Sequence, residues 1–128
     1  MQTRPIVDRV KVIIVFAKAP DPGAVKTRLT PPFSSEQAAA IYRAMAADTL
    51  AAAEAVTGAR TVVAYQPHPT WPDPAWIKAP APAWFPQEGA DLGLRLAAAT
   101  GKAFVEGAAR VVVIGTDSPQ LSPARIEE

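Results

Sequence analysis

The residues of this chain best suited to chemistry are cations in a loop that contains proline and glycine. Lys18, Lys26 and Arg28 follow one apolar segment, with Pro22 and Gly23 between them. Glycine lets a backbone approach a ligand closely, and Lys and Arg side chains bind phosphate oxygens. Lys26 and Arg28 are two residues apart, so in an extended segment both side chains face the same way. The loop fits a phosphate site, and on spacing alone it fits a surface loop with solvated cations equally well.

This loop differs from the phosphate loop of P-loop nucleotide hydrolases. Residues 23–27 lack the glycine that stands before the lysine in that motif, and they lack its earlier glycine as well. A small phosphate-binding protein of the P-loop type is therefore disfavoured.

The segment Gly115–Pro119, which follows a second apolar run, is the next candidate for chemistry. A carboxylate such as that of Asp117, at the tip of a buried strand, is well placed to hold Mg²⁺ or Mn²⁺ that bridges to substrate phosphates. Asp-Ser-Pro is also good turn chemistry, so the alternative is that Asp117 caps a turn.

Two further features point less clearly to a site. The glycines of Gly89–Arg95 are too sparse for a dinucleotide-binding loop, so Asp91 is expected to cap a helix. Arg95 then lies on the helix surface or reaches the ligand. His68 lies among prolines and has no neighbouring partner for catalysis, which favours a surface loop residue.

Hydrophobic patterning predicts the elements that must position these residues. The expected strands are 10–16, 59–65, 84–87 and 110–114, and the expected helices are 34–57, 91–106 and one beginning at Ser122. Ser34 and Gln37 form a capping box at the start of the first helix, and Gly58 is expected just past its end. The inner stripe of that helix is predicted as Ile41, Met45, Thr49, Ala52 and Val56, and that of the second as Leu92, Leu96, Ala99 and Ala103.

This alternation of strands and helices predicts an α/β fold, a three-layer α/β/α sandwich with a mainly parallel sheet. Ligands bind such sheets beyond the carboxyl ends of the strands. The Lys18–Arg28 loop follows the first strand and Asp117 follows the fourth. Both therefore lie at the same edge, and they meet over one ligand if these strands are neighbours.

Composition limits the class of protein. The chain has 128 residues, a net charge of +1 with scattered cations, and no cysteine, which excludes disulfides and thiolate metal sites. No basic tract indicates nucleic acid as a partner, and no apolar run is long enough to span a membrane. The polar N-terminus lacks the apolar stretch of a signal peptide. A soluble cytoplasmic domain is the default expectation.

Taken together, three segments resemble one group of bacterial proteins of the glycosyltransferase A type. These proteins are classed as a domain of unknown function and labelled as transferases associated with radical-SAM or selenium gene neighbourhoods. The segments are 16–29 with 48–50, then Gln87, Gly89, 91–93 and Arg95, and finally 114–119 with Leu121. The group is similar in fold to nucleotide-diphospho-sugar transferases and to small nucleotidyltransferases.

The resemblance implies a nucleotide or nucleotide-sugar pocket at the loop after the first strand, with Mg²⁺ or Mn²⁺ held by Asp117. The residues expected to bind nucleotide or phosphate are Lys18, Gly23, Lys26, Arg28 and Arg95. The implied activity is transfer of a glycosyl or nucleotidyl group to an unknown small acceptor. Neither the acceptor nor the catalytic base is assigned.

Members of this group continue beyond the point where this sequence ends. We therefore expect residues 1–128 to form a single nucleotide-binding α/β domain that lacks the C-terminal part of the full fold. The alternative from another class is a non-catalytic scaffold or interaction module. In that case an exposed sheet edge would be covered by a second copy, forming a homodimer.

Overall fold

The computed structural model of the chain describes residues 10–19, 21, 31–67 and 84–116. Its elements are β1 (Val10–Ala17), α1 (Ser35–Glu54), β2 (Ala59–Tyr65), β3 (Trp84–Pro86), α2 (Leu92–Val105) and β4 (Ala108–Gly115). Each lies where the sequence predicts it, although α1 ends at Glu54 rather than at 57 and β4 begins two residues before 110. The helix expected from Ser122 lies outside the described residues.

The four strands form one parallel sheet in the order β3-β2-β1-β4. β1 lies inside it, with β2 on one side and β4 on the other. Its sequence, rich in valine and isoleucine, suits this place because β-branched side chains pack well on a sheet that is covered on both faces. The mainly parallel sheet predicted from the sequence is confirmed.

The two helices cover opposite faces of the sheet. Ile13 and Val15 of β1 face α1, whereas Val12 and Ile14 pack on the other side with Ala99 of α2. The crossover from β1 to β2 and the crossover from β3 to β4 run in opposite directions along the sheet. With helices on opposite faces they have the same hand, as parallel crossovers require. The three-layer α/β/α sandwich is confirmed.

The face that α1 buries differs from the predicted stripe. The buried residues of α1 are Ala38, Ala39, Tyr42, Ala46, Thr49, Leu50 and Ala53. Thr49 of the predicted stripe is buried, whereas Ile41 and Met45 are only half-buried. Alanine allows a helix to lie close to a sheet, so small side chains make up much of the contact, together with Tyr42 and Leu50.

The inner stripe predicted for α2 is buried toward the C-terminal end of the helix but not at its N-terminal end. Ala99 and Ala103 are buried and Leu96 is half-buried, whereas Leu92 is 63% exposed. Leu92 lies in the first turn of α2, immediately after the carboxyl edge of the sheet, and it belongs to neither core cluster. Among the described helices, none combines the length and apolarity needed to cross a bilayer.

Caps define the ends of α1 largely as expected. The Ser34 hydroxyl accepts from the Gln37 backbone N–H at 3.1 Å, and the Gln37 side chain accepts from the Ser34 N–H at 2.9 Å, which confirms the capping box. The prediction that Gly58 directly follows the helix end is wrong, because the C-cap is Ala55. Gly58, with φ of 78°, instead makes the turn into β2, a conformation that glycine adopts without strain.

Removing two methyl groups from β1 should cost far more stability than the same change in β4. Val15 is 1% exposed between α1 and the sheet, and Val112 is 38% exposed on β4. We expect Val15→Ala to lower the free energy of unfolding by about 2–3 kcal/mol through lost burial and a residual cavity. Val112→Ala, the matched control, should cost less than about 1 kcal/mol. Urea unfolding of both variants measures the difference, and equal losses would contradict the assigned core.

Candidate functional site

The carboxyl ends of all four strands meet at one edge of the sheet, because the strands are parallel. The chain passes from β1 to β2 on one side of β1 and returns from β3 to β4 on the other. The point where the strand order reverses, between β1 and β4, is where open α/β sheets bind ligands. This carboxyl edge is therefore the candidate site.

The structure places two of the predicted site residues at this edge. Lys18 follows β1 directly and is exposed, and Arg95 lies in the first turn of α2, which follows β3. The strand before the cationic loop, β1, pairs with the strand before the Asp117 segment, β4, so the condition for the two segments to meet is fulfilled. The other predicted residues lie outside the described part of the chain: Gly23, Lys26, Arg28 and Asp117.

The peptide bond between Ala17 and Lys18 is held from both sides as the chain leaves β1. The Ala17 carbonyl accepts from the Gln66 backbone N–H at 2.8 Å and from Gln87 Nε2 at 3.3 Å. The Lys18 N–H donates to the Tyr42 hydroxyl at 2.6 Å. We call these three contacts the peptide clamp. They join α1, the end of β2 and the end of β3 at the first residue of the cationic loop.

Gln87 connects three strand ends by itself. Its backbone N–H donates to the Tyr65 carbonyl at 2.7 Å, and its Nε2 donates to the Ala64 carbonyl at 2.8 Å as well as to Ala17. Carbonyl groups at the ends of strands need donors once the ladder stops. Gln87 supplies donors from just past β3 and so holds this edge together.

The segment from Gly89 to Arg95 supports the arginine. Asp91 accepts from the Leu94 N–H at 2.8 Å, which confirms that it caps α2. Arg95 Nε donates to the Gly89 carbonyl at 3.0 Å, which holds the guanidinium beside the turn and leaves its terminal nitrogens without a described partner. Gly89 has φ of 134°, and a Cβ there would lie 2.8 Å from the Arg95 backbone nitrogen. The turn therefore needs glycine.

Thr49 connects α1 to the end of β4. It is 1% exposed, and its hydroxyl donates to the Met45 carbonyl at 2.8 Å and lies 3.5 Å from the Thr116 carbonyl. Thr116 is 6% exposed and stands immediately before Asp117. The neighbouring Asp48 is exposed. Burial of Thr49 thus positions the backbone at the start of the Asp117 segment.

The described part of the edge offers positive charge but no metal centre. Neither Lys18 nor Arg95 forms an ion pair with a described carboxylate. Two cations that no described carboxylate neutralises suit an anionic ligand. No group of three or more His, Asp or Glu side chains among the described residues could hold a metal ion, so the metal prediction depends on Asp117.

Sequence reasoning missed the roles of Tyr42 and Gln87. Tyr42 was not on the predicted inner stripe, yet it is 4% exposed and its hydroxyl reaches the backbone of Lys18. A tyrosine among the alanines of a helix is a signal that the sequence does offer. If that face is buried, the tyrosine hydroxyl needs a hydrogen-bond partner, which indicates a contact with a neighbouring element. Gln87 stood in a recognised segment, but nothing in the sequence indicated that its side chain would cross two strands. Trp84 packs against the α1 side of the core and meets the Tyr65 ring edge-on at 5.6 Å.

Comparison with known proteins agrees with this geometry. The sequence profile of a family described as "uncharacterized protein conserved in bacteria (DUF2064)" matches residues 49–128. A crystal structure of a candidate nucleotide-diphospho-sugar transferase from Desulfovibrio desulfuricans G20 is similar, with a TM-score of 0.80 and 33% sequence identity. The match covers 91% of this chain and 51% of that one, so this chain spans about half the length of its relative. No curated protein matches the sequence.

Substituting two glycines near α2 should have opposite effects. Gly89→Ala forces a side chain onto a strained backbone and against Arg95, so we expect a loss of about 1–3 kcal/mol in unfolding free energy. Gly101→Ala, inside α2 with open space around it, should gain about 1 kcal/mol from helix propensity. Thermal unfolding of the two variants tests this. A neutral Gly89→Ala would show that the turn does not require glycine.

Proposed function

This chain belongs to the bacterial family DUF2064, and we propose that it binds a nucleotide sugar at the carboxyl edge and transfers the sugar to a small acceptor. The observation that carries the proposal is the similarity to a candidate nucleotide-diphospho-sugar transferase over 91% of this chain. The transferase-like fold is shared. The activity, the donor and the acceptor are inferences.

The geometry of the edge supports a diphosphate ligand. Lys18 begins the loop after β1, and Arg95 lies at the start of α2 with its Nε already bound to the Gly89 carbonyl. A guanidinium held in this way loses little freedom when it binds phosphate oxygens. We assign Gly23, Lys26 and Arg28 to the same diphosphate from their place in the loop.

Glycosyl transfer breaks the bond between the anomeric carbon and a diphosphate oxygen and forms a bond from that carbon to an acceptor oxygen. The acceptor loses a proton, and the nucleoside diphosphate leaves with additional negative charge. Fixed cations next to that oxygen stabilise the charge as it develops. Lys18 and Arg95 are proposed for this role. Nucleotidyl transfer is the other reaction that the sequence allows, and the named activity of the similar structure favours the sugar.

Divalent metal is part of the proposal. Mg²⁺ or Mn²⁺, when bound, would neutralise charge on the leaving diphosphate. Asp117 would hold it, since this carboxylate directly follows β4 and the buried Thr116. The strand itself is only partly covered, with Ile114 its one buried side chain, and not buried throughout as the sequence suggested. The cytoplasmic location predicted from the sequence also belongs to this proposal.

Ligand-dependent thermal unfolding tests the proposal. We expect a panel of nucleotide sugars and nucleoside triphosphates, each with and without Mn²⁺, to contain one nucleotide sugar that raises the melting temperature only with metal. Ligand at about 100 times its Kd stabilises a protein by about 2.7 kcal/mol. A shift with triphosphates alone would favour nucleotidyl transfer. A sharp transition that no ligand moves would favour the scaffold alternative.

Removing the proposed ligands of diphosphate and metal should weaken that binding. Replacing Lys26 and Arg28 together by Ala should cost about 1.5–3 kcal/mol of binding free energy for each charged hydrogen bond lost. Asp117→Asn should abolish the metal dependence. Arg110→Ala, an exposed cation near the start of β4 at the opposite edge, is the matched control and should bind normally. If the variant that lacks both Lys26 and Arg28 binds the ligand with wild-type affinity, these cations do not bind phosphate and the segment is an ordinary surface loop.

A further inference from the structure

We infer that Tyr42 and Gln87 are positioning residues that act together, through the Ala17–Lys18 peptide, on the ligand site. The inference rests on the proposed function for its ligand, but the peptide clamp itself is independent of any ligand. Neither side chain needs to touch the nucleotide sugar for this role.

The clamp acts on one rigid group. A trans peptide is planar, and its carbonyl oxygen and N–H point to opposite sides. The Ala17 carbonyl is bound at 2.8 Å by the Gln66 N–H and at 3.3 Å by Gln87 Nε2, and the Lys18 N–H is bound at 2.6 Å by the Tyr42 hydroxyl. Partners on both sides prevent the plane from turning. They therefore set the direction in which the chain leaves β1.

Tyr42 supplies an acceptor where the described part of β4 has ended. Within the described residues, β4 pairs with β1 as far as Phe16, opposite Gly115, and the Lys18 N–H lies beyond that pair. Tyr42 is 4% exposed on the sheet side of α1 and supplies an acceptor at that position. Through this hydrogen bond, the Tyr42 hydroxyl holds the first peptide after β1, at the beginning of the cationic loop, in a fixed orientation.

Gln87 couples this peptide to the segment that carries Arg95. Its Nε2 binds the carbonyls of Ala17 and Ala64, and two residues later Gly89 accepts from Arg95 Nε. Two hydrogen bonds and the short backbone stretch from Gln87 to Gly89 therefore join the backbone origin of Lys18 to the guanidinium of Arg95. Loss of the Gln87 side chain should therefore make the position of Lys18 relative to Arg95 less well fixed.

Hydrogen exchange tests the clamp without any ligand. In the full chain, Tyr42→Phe and Gln87→Leu should each speed exchange of the Lys18 amide by about three- to tenfold, the factor expected for one hydrogen bond. Tyr65→Phe and Gln66→Leu are matched controls at the same edge, and Gln66→Leu keeps its backbone donor. We expect both to leave the Lys18 amide at the wild-type rate. Unchanged exchange in Tyr42→Phe would overturn the clamp.

A double-mutant cycle tests the positioning role. UDP-glucose and GDP-mannose with Mn²⁺ are the probes, and affinity is measured well below the melting temperature of every variant. Each single variant should lose about three- to tenfold in affinity, and the double variant should lose less than the product of the two, because both act on one peptide. Lys18→Ala should then cost less affinity in the double variant than in the wild type.

The outcomes separate this inference from the proposed function. Normal affinity in all clamp variants, with binding by the wild type, would overturn the positioning role and leave the proposed function standing. Fully additive losses, with an unchanged cost of Lys18→Ala, would show two separate structural effects and also overturn it. If the wild type binds neither probe and no ligand of the thermal-unfolding panel raises its melting temperature, both the proposed function and the positioning role are overturned. Exchange at Lys18 would still report on the clamp.

Discussion

Strand β1 is packed between two hydrophobic cores, one on each face of the sheet, and this packing fixes where the other elements lie. Alternate side chains of this strand face α1 and α2, and β2 and β4 pair with its two sides. The strand therefore has no freedom to shift or tilt without opening both cores. Its carboxyl end is a rigid starting point, and the peptide clamp extends that rigidity to Lys18. A loop that must present cations to a ligand benefits from such an origin, because less order has to be created on binding.

Local signals in the sequence predicted most of the fold. The β-branched run of β1, the capping box of Ser34 and the cap at Asp91 depend on neighbours in the chain, so patterning found them. The buried face of α1 was predicted less well, because an alanine-rich helix offers several similar faces and only packing selects one. The contacts of Tyr42 and Gln87 join residues distant in sequence, and no local pattern encodes them. The site was predicted only in part. The order of elements placed both loops at one edge of the sheet, whereas the pairing of β1 with β4 is known from the strand order in the structure.

The segment Gln87–Arg95 shows how one stretch of sequence can serve several physical needs. Its first residue supplies donors to strand ends, Gly89 permits a close turn, Asp91 caps α2 and Arg95 binds back to that turn. None of these roles is that of a dinucleotide-binding loop, which the glycines resemble only in outline. The shared consequence is an arginine whose position relative to the end of β1 is set by backbone contacts. The similarity to a candidate nucleotide-diphospho-sugar transferase over 91% of the chain supports the proposal that this edge receives an anionic ligand.

An NMR titration of the ¹⁵N-labelled chain with UDP-glucose and GDP-mannose in the presence of Mg²⁺ would locate the nucleotide-sugar site. We expect amide shifts confined to the carboxyl edge, at Ala17, Lys18, Gln87, Arg95 and Thr116. Amides at the opposite edge, such as those of Lys11 and Arg110, should stay in place. Shifts at that opposite edge, or shifts spread without regard to the strand ends, would contradict the assignment of the carboxyl edge as the nucleotide-sugar site.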